Sequence, residues 1–105
     1  STGAPGVYPA VCTLDMARLE GQRLHVRSRH PGDRISPTGM DGSKKIQDLF
    51  VDAKIPEPLR DSTPLFVCGN EVAWVPGYRI SRHFAVSSPD APSLNISVRR
   101  ASAPA

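Results

Sequence analysis

The segment LFVCGNEVAWV, residues 65–75, decides the fold class of this 105-residue chain. Its two apolar runs, residues 65–68 and 72–75, flank the triplet Gly69-Asn70-Glu71. Glycine and asparagine tolerate the positive φ angles that tight turns require, so the triplet is typical of a turn between two strands. The segment therefore predicts an antiparallel β-hairpin, with Trp74 in its buried part.

Further strands are predicted on both sides of this hairpin. Residues 23–27 (RLHVR) and 94–98 (LNISV) alternate apolar with polar side chains, which is the period of a half-buried strand, and residues 83–86 (HFAV) repeat the pattern briefly. In RLHVR we expect the apolar pair, Leu24 and Val26, to face the core. The three basic residues of that strand should then lie on its outer face.

One helix is predicted between the strands, around residues 43–55. Apolar side chains at positions 46, 49, 50 and 53 recur at i, i+3, i+4 and i+7, so they share one helical face. Ser43 is the expected N-cap, and Pro56 ends the helix because the residue before a proline avoids helical angles. Lys44 and Lys45 would then be the first two helical residues.

Proline content and chain length indicate one small domain with short elements. Eleven prolines in 105 residues are about twice the usual share, which disfavours long helices. We expect an α+β fold, namely a compact, mostly-β domain of antiparallel hairpins, sandwich- or barrel-like, with one main helix. The folded part should span residues 11–99, between flexible tails at residues 1–10 and 100–105.

A single core is expected from the apolar faces of four strands and the helix. Its predicted members are Leu24, Val26, Ile46, Leu49, Phe50, Phe66, Trp74, Val75, Ile96 and Val98. Cys12 and Cys68 also lie in apolar stretches and have no CxxC spacing, which favours two buried, reduced thiols.

Several classes of protein are disfavoured. No run approaches the ~18 apolar residues of a membrane span and no signal peptide opens the chain, so we expect a cytoplasmic location and no membrane partner. The three histidines lack partners at metal-ligand spacing, and no nucleophile elbow joins Ser, His and Asp. The glycines before Lys44 are too closely spaced for a nucleotide-binding P-loop. We therefore expect no catalytic residues, metal or cofactor in this chain.

The charge pattern favours an anionic partner. The net charge is +3, divided as +2 over residues 1–40, −2 over residues 41–71 and +3 over residues 72–105. Ten of the thirteen basic residues are arginine, whose forked donors match phosphate better than lysine does. A mixed, solvated surface is the alternative interpretation.

The lysine pair at the predicted helix start is the most informative basic feature. Lysines there oppose the positive end of the helix dipole, at a cost of about 0.3–1 kcal/mol each, and acids would be more stable. We interpret Lys44 and Lys45 as a phosphate-contact site. The alternative is that both side chains extend into water and bind nothing.

Two further segments are candidate contact sites. RSRHPGDR, residues 27–34, places three arginines and a histidine around a Pro-Gly turn, which we interpret as a phosphate-contact loop. The structural alternative is that Asp33 braces the turn by pairing with Arg29 or Arg34, and the two can both hold for different residues. In WVPGYRI, residues 74–80, Trp74 is expected in the core. Tyr78 and the arginine after it are expected to be exposed, where an aromatic ring suits base stacking.

Taken in order, these segments resemble the C-terminal domain of tRNA(Ile)-lysidine synthetases. That family's pattern runs approximately R-x-R-x-x-G-D-R, then G-S-K-K-x-x-D-x-F-x-D-x-K-x-P, then R-D, P-L and W-V-P-G-x-R-I. The chain matches it at the charged, proline and glycine positions over about residues 23–84, and weakly from 11 to 98. It departs at His30 and Gln47, where the family has basic residues, and at Ile35, where the family favours an aromatic.

The resemblance implies a function as well as a fold. In the family, an N-terminal domain with an S-G-G-x-D-S loop uses ATP and lysine to modify the wobble cytidine of an isoleucine tRNA, and no such loop occurs here. The C-terminal domain holds the tRNA on its acceptor-stem side and is similar to a domain of the phenylalanyl-tRNA synthetase β subunit. The implied partners are therefore tRNA(Ile) and the catalytic N-terminal domain.

Nine residues are the predicted tRNA contacts of this non-catalytic domain. They are Arg27, Arg29, Arg34, Lys44, Lys45, Lys54, Arg60, Tyr78 and Arg79. The alternative function is a protein-interaction module that docks to the rest of the enzyme or to a partner subunit through the helix face or the Trp74 loop. Salt dependence separates the two, because phosphate contacts weaken steeply with added salt.

Overall fold

The structure of the protein is a computed structural model that describes residues 9–99. Along this part of the chain the elements are β1 (Ala10–Asp15), α1 (Met16–Leu19), β2 (Leu24–Arg27), β3 (Arg34–Ile35), β4 (Lys44–Lys45), α2 (Ile46–Asp52), α3 (Glu57–Arg60), β5 (Leu65–Cys68), β6 (Glu71–Val75), β7 (Arg79–Ile80) and β8 (Ser93–Val98). The predicted tails at residues 1–10 and 100–105 lie outside the described residues, apart from Pro9 and Ala10, and Ala10 begins β1.

A four-stranded antiparallel sheet, in the order β2-β5-β6-β7, forms the centre of the fold, and two-stranded ribbons β1-β8 and β3-β4 accompany it. The β5-β6 pair is the predicted hairpin, which is confirmed. Gly69 begins its turn with φ +62°, and a Cβ at this position would lie only 2.7 Å from the side-chain oxygen of Gln22. The prediction of a mostly-β, α+β fold built from antiparallel strands is therefore confirmed.

The central sheet carries two hydrophobic clusters instead of the single predicted core. Successive side chains of a strand point to opposite faces, so Leu65 and Val67 join one cluster while Cys68 joins the other. The α2 cluster contains Ile35, Ile46, Leu49, Phe50, Ile55, Leu65, Val67, Val72 and Val75. The ribbon cluster contains Ala10, Cys12, Leu14, Leu19, Cys68, Ala73, Trp74 and Phe84.

Both cysteines and the tryptophan are buried in the ribbon cluster, as expected. Burial raises the pKa of the Cys12 thiol to about 11, so the thiol stays protonated at neutral pH. Leu24, Phe66, Ile96 and Val98 pack against this cluster only as partly buried side chains. The ribbon β1-β8 therefore covers one face of the sheet less completely than α2 covers the other.

The predicted orientation of β2 is wrong at two positions. Val26 is 54% exposed, whereas Arg27 is partly buried. The reason is that β2 is an edge strand, with β5 as its only neighbour in the sheet. Val26 lies on the same face of the sheet as Leu24, but at the sheet edge, where no further strand flanks it. Arg27 is drawn inward by an ion pair with Asp33.

The segment at residues 83–86 is not a strand, although it alternates. Residues 82–84 form a turn, and Ala85 makes a single bridge to Leu14. Phe84 fills the ribbon cluster from this turn. The other alternating segment, residues 94–98, is confirmed as a strand in β8, which pairs with β1 over its whole length.

The helix is shorter than predicted and begins later. It spans Ile46–Asp52, with Lys45 as an N-cap that makes no side-chain capping bond. The lysine pair forms β4 instead, because its backbone pairs with β3. The predicted roles of Ser43 as N-cap, and of the lysines as the first helical residues, are therefore wrong. The predicted apolar face is confirmed by the burial of Ile46, Leu49 and Phe50.

Backbone hydrogen bonds close the C-terminal end of α2. The Lys54 N–H donates to the Val51 carbonyl at 3.0 Å, and the Ile55 N–H donates to the Phe50 carbonyl at 3.1 Å. Lys54 has φ +59°, and it is the one non-glycine residue with positive φ among the described residues. This is the Schellman arrangement, in which glycine is preferred at the left-handed position because it has no Cβ. Lysine there is conformationally strained.

We expect Lys54→Gly to raise the free energy of unfolding by about 0.5–1 kcal/mol, because it removes this strain. The measurement is urea denaturation of the parent and the variant. Lys54→Ala is the matched control, since alanine loses the side chain but keeps the Cβ. Equal stability of the glycine and alanine variants would contradict the explanation.

Within residues 9–99, no helix has the length and apolar character needed to cross a membrane.

Candidate nucleic-acid interface

The ribbon β3-β4 brings two basic side chains together on one face. Its antiparallel register pairs Arg34 with Lys45 and Ile35 with Lys44. Directly paired residues project to the same side, so the exposed Arg34 and Lys45 are cross-strand neighbours. Like charges in this position are destabilising. The charges of Arg34 and Lys45 therefore do not stabilise the ribbon.

Arginine side chains hold the later part of the loop between β3 and β4, whereas Pro37 near its start is fully buried. Arg82 donates from Nη1 to the Met40 carbonyl at 3.0 Å and to the Gly42 carbonyl at 2.6 Å. Arg34 donates from Nε to Ser43 Oγ at 2.8 Å. Arg82 is not among the predicted site residues, and no local pattern reveals it, because its partners lie about forty residues earlier in the chain.

The Pro-Gly turn before β3 is braced by Asp33, but not through the predicted partners. Asp33 pairs with Arg27, whose Nη1 and Nη2 lie 2.8 and 3.1 Å from the two carboxylate oxygens. The His30 backbone N–H donates to the same carboxylate at 2.7 Å. The expected pairing of Asp33 with Arg29 or Arg34 is therefore wrong, because Arg29 pairs with Asp61 and Arg34 with Ser43.

Burial alone would raise the pKa of Asp33, but the hydrogen bonds from Arg27 and from the His30 N–H outweigh it and hold the pKa below its ordinary value. The ion pair also raises the pKa of Arg27 through its hydrogen bond to Asp33. Arg27 is thus a residue that shapes the turn, with both Nη groups already occupied.

This arrangement predicts a loss of stability in acid. Because the folded pKa of Asp33 is depressed, its stabilisation is complete above the ordinary value of 3.8 and is lost as the pH falls through the lower folded value. Asp33→Asn should cost about 1–3 kcal/mol at pH 7 and remove this part of the pH dependence. Urea denaturation at pH 7 and pH 3 measures both effects. Asp41→Asn, on an exposed loop residue, is the control, and an equal pH dependence in all three proteins would refute the role of Asp33.

Arg29 is fixed on two sides. Its Nε donates to Asp61 Oδ1 at 2.9 Å, and its guanidinium carbon lies 5.9 Å from the centre of the Phe50 ring, within the range of a cation–π contact. The Arg29 side chain is 22% exposed, whereas that of Asp61 is 76% exposed. The guanidinium therefore lies between the α2 cluster and a solvent-facing carboxylate.

An open cleft of about 370 Å³ separates the Pro-Gly turn from the start of α2. Its lining residues are Arg29, His30, Pro31, Gly32, Asp33, Lys45, Ile46, Gln47 and Asp61. His30 and Gln47, the two positions at which the sequence replaces a basic residue of the family pattern, both line this cleft. Ile35, the third departure, is buried in the α2 cluster.

Some of the other predicted contact residues are engaged in ion pairs or hydrogen bonds, and others are exposed to solvent. Lys44 forms an ion pair with Asp52, one helix length away, and Arg60 donates from Nε to the Ile55 carbonyl at 2.9 Å. Lys54 is exposed. Arg60 therefore stabilises the segment that follows α2, and its guanidinium is only partly available to a ligand.

Tyr78 and Arg79 line a different cleft from Lys45. Arg79 is exposed, but Tyr78 packs against the α2 cluster and is partly buried, so its predicted exposure is wrong. Both line a second cleft, together with residues of β1 and Trp74. The structure therefore does not gather all nine predicted residues on one patch.

Among residues 9–99, no three His, Cys, Asp or Glu side chains converge as a metal site would require. His83 Nδ1 also lies within hydrogen-bonding distance of Glu71 at the end of the central sheet, and both side chains are partly exposed.

Comparison with known proteins shows which family this chain resembles. Residues 24–97 match the model of the family described as the TilS substrate C-terminal domain. The chain is 49% identical over 87 residues to a tRNA(Ile)-lysidine synthase of Symbiobacterium thermophilum, covering 83% of this chain and 18% of that protein. It is 52% identical over 73 residues to one of Clostridium tetani, covering 70% of this chain and 15% of that protein.

A solved structure agrees with the sequence relatives. The crystal structure of a TilS C-terminal domain superimposes with a TM-score of 0.77 at 28% identity, covering 98% of this chain and 77% of that one. The chain spans less than a fifth of the length of the two synthases it matches. By the extent of the family match and by these relatives, the chain belongs to the family of the TilS substrate C-terminal domain.

Proposed function

We propose that this chain is a non-catalytic tRNA-binding domain that positions isoleucine tRNA from its acceptor-stem side. In this proposal a separate N-terminal domain of the same cytoplasmic enzyme uses ATP to attach lysine to the wobble cytidine. The relatives' name, tRNA(Ile)-lysidine synthase, supports a role in tRNA modification by a ligase. The chain corresponds to under a fifth of those proteins, so the activity belongs to the proposal.

The observation that carries the proposal is the pairing of Arg34 with Lys45 across the β3-β4 ribbon. Two exposed cations face each other where opposite charges would stabilise the ribbon. A phosphate lying between them removes the repulsion and gains two charge-assisted hydrogen bonds. The helix dipole does not account for the lysines, because they precede α2.

The geometry divides the proposed contact residues into two roles. Arg34, Lys45, Lys54 and Arg79 have exposed side chains. Arg34 donates to Ser43 from Nε and Nη2, which leaves Nη1 for phosphate. In contrast, Arg27, Arg29 and Lys44 are paired with carboxylates, and the partly buried Arg60 donates to a carbonyl. We propose that the first group contacts RNA directly and that the second positions the turn, the cleft and the end of α2.

A protein-interaction module is the second candidate function, and one observation favours it. An apolar cleft lies beside α1 on the ribbon side, lined chiefly by Met16, Leu19, Leu24 and Leu94. Met16 is also one of the exposed large apolar side chains. Such a surface would suit docking to the rest of the enzyme, and its binding would depend little on salt.

The test is filter binding to isoleucine tRNA across a salt series. An RNA-binding domain should lose affinity linearly on a logarithmic salt scale, by roughly 0.7–0.9 units of slope per phosphate contact. Calorimetry with ATP on the same protein should show no binding, because the chain has no phosphate-binding loop. Absence of tRNA binding at low salt would reject the proposal, and salt-independent binding would favour the docking function.

A further inference from the structure

The cleft beside α2 contains polar groups that the phosphate contacts do not use. Asp61 accepts from Arg29 through Oδ1, and Oδ2 makes no hydrogen bond within residues 9–99. The Gln47 side chain is exposed at the same cleft and makes no hydrogen bond to another described residue. The cleft therefore offers a carboxylate oxygen and an amide to a ligand.

The two carboxylates of the cleft are held in place before any ligand arrives, whereas the Gln47 side chain is not. Arg29 anchors Asp61 and is itself anchored by the Phe50 ring. On the opposite wall, Asp33 is fixed by Arg27 and by the His30 N–H. A site held by such supporting contacts loses little conformational entropy on binding.

The chemistry of the cleft disfavours a bare phosphate. Two carboxylates, Asp33 and Asp61, and two cations, Arg29 and Lys45, line it, so their charges balance. Pro31 and Gly32 contribute uncharged surface. A charge-balanced cleft with a few fixed donors and acceptors suits a neutral, flat heterocycle that carries polar groups on its edge.

We propose that this cleft receives one unpaired nucleotide of the bound RNA, and that Asp61 recognises the amino group of its base. The inference rests on the proposed function and specifies which part of the RNA is read. A-form helices hide their base edges in a deep, narrow major groove, so sequence is read from single-stranded nucleotides. A carboxylate accepts from the exocyclic amine of cytosine, whereas uracil has a carbonyl at that position and is repelled.

The test compares two RNA hairpins with the same stem. One carries a 3′ single-stranded extension of four cytidines and the other an extension of four uridines. The parent should bind the cytidine hairpin about three- to tenfold more tightly. Asp61→Asn keeps an oxygen for Arg29 and replaces the second oxygen by an NH₂ group, so the preference should disappear or reverse towards uridine.

The control is Asp90→Asn, which makes the same charge change at an exposed residue outside the cleft. It should retain the cytidine preference, and a melting curve on each variant checks the fold. The preference is a readout that lost stability alone would not reverse, and the salt slope should stay unchanged because no phosphate contact is removed.

The outcomes separate this inference from the proposed function. Equal affinity of the parent for both hairpins, or a cytidine preference that survives in Asp61→Asn, would overturn the cleft inference and leave the RNA-binding function standing. Failure of the parent to bind either hairpin or isoleucine tRNA at low salt would overturn both.

Discussion

Phe50→Ala is expected to lower the free energy of unfolding by about 3–5 kcal/mol. The Phe50 side chain has no solvent exposure and lies in the α2 cluster. Its loss removes apolar burial, leaves a cavity between α2 and the central sheet, and takes away the ring on which Arg29 rests. The measurement is urea denaturation of the parent and variant domains.

Val51→Ala is the matched control, because Val51 lies on the same helix but is exposed. Its effect should stay within about 0.5 kcal/mol, as is usual for surface substitutions. A cost of less than 1 kcal/mol for Phe50→Ala would mean that α2 contributes little to the core and that its apolar face has been misinterpreted. The size of the Phe50 effect relative to Val51 therefore measures how firmly the helix is docked.

The elements that the sequence predicted correctly are those specified by local patterns. The hairpin at residues 65–75 depends on a glycine-containing turn between apolar runs, and the face of α2 depends on helical spacing. Trp74 lies in an apolar run of that hairpin and is buried, as predicted. Each of these patterns lies within about a dozen consecutive residues, so the element could be predicted without knowledge of tertiary contacts.

The errors occur where a distant contact overrides a local preference. Lysines 44 and 45 precede a helical pattern, yet they form a strand because β3 pairs with them and Arg82 holds the loop between the two strands. Val26 alternates as a core residue, yet it lies on an edge strand. No window of the sequence contains both partners of these contacts, so periodicity could not reveal them.

The sequence also could not show which arginines form ion pairs and which remain available to a ligand. The motif at residues 27–34 contains three arginines, for which the sequence left open both phosphate contact and pairing with Asp33. In the structure Arg27 braces Asp33, Arg29 pairs with Asp61, and Arg34 donates to Ser43 and stands exposed opposite Lys45. A guanidinium whose charge is matched by a carboxylate supports the shape of the site, whereas Arg34 has no carboxylate partner within residues 9–99 and keeps its charge for phosphate. Only the pairing partners distinguish the two.

This distinction gives the prediction with the largest effect on binding. Lys45→Glu should weaken the binding of isoleucine tRNA by an order of magnitude or more, because a cation beside phosphate becomes an anion. The same change should leave the fold intact and raise its stability by a few tenths of a kcal/mol, since Glu would face Arg34 across the ribbon. Filter binding and a melting curve on each variant measure the two effects.

Lys45→Gln separates charge loss from charge reversal, and it should reduce the salt slope of binding by about one unit. Arg18→Glu is the matched control, since it makes the same charge change at an exposed residue on α1 and should alter affinity by about twofold at most. Lys44 is a poor substitute for Lys45 in this test, because glutamate at that position would lose the ion pair with Asp52 and add a like charge beside it.

The decisive result is that Lys45→Glu should weaken tRNA binding while it stabilises the fold. A substitution that merely damages the domain lowers both quantities, whereas a residue retained for a ligand lowers binding while the free protein becomes more stable. If Lys45→Glu binds tRNA as tightly as the parent, the cross-strand pair is only a solvated part of the ribbon. The apolar cleft beside α1 would then become the favoured interaction surface.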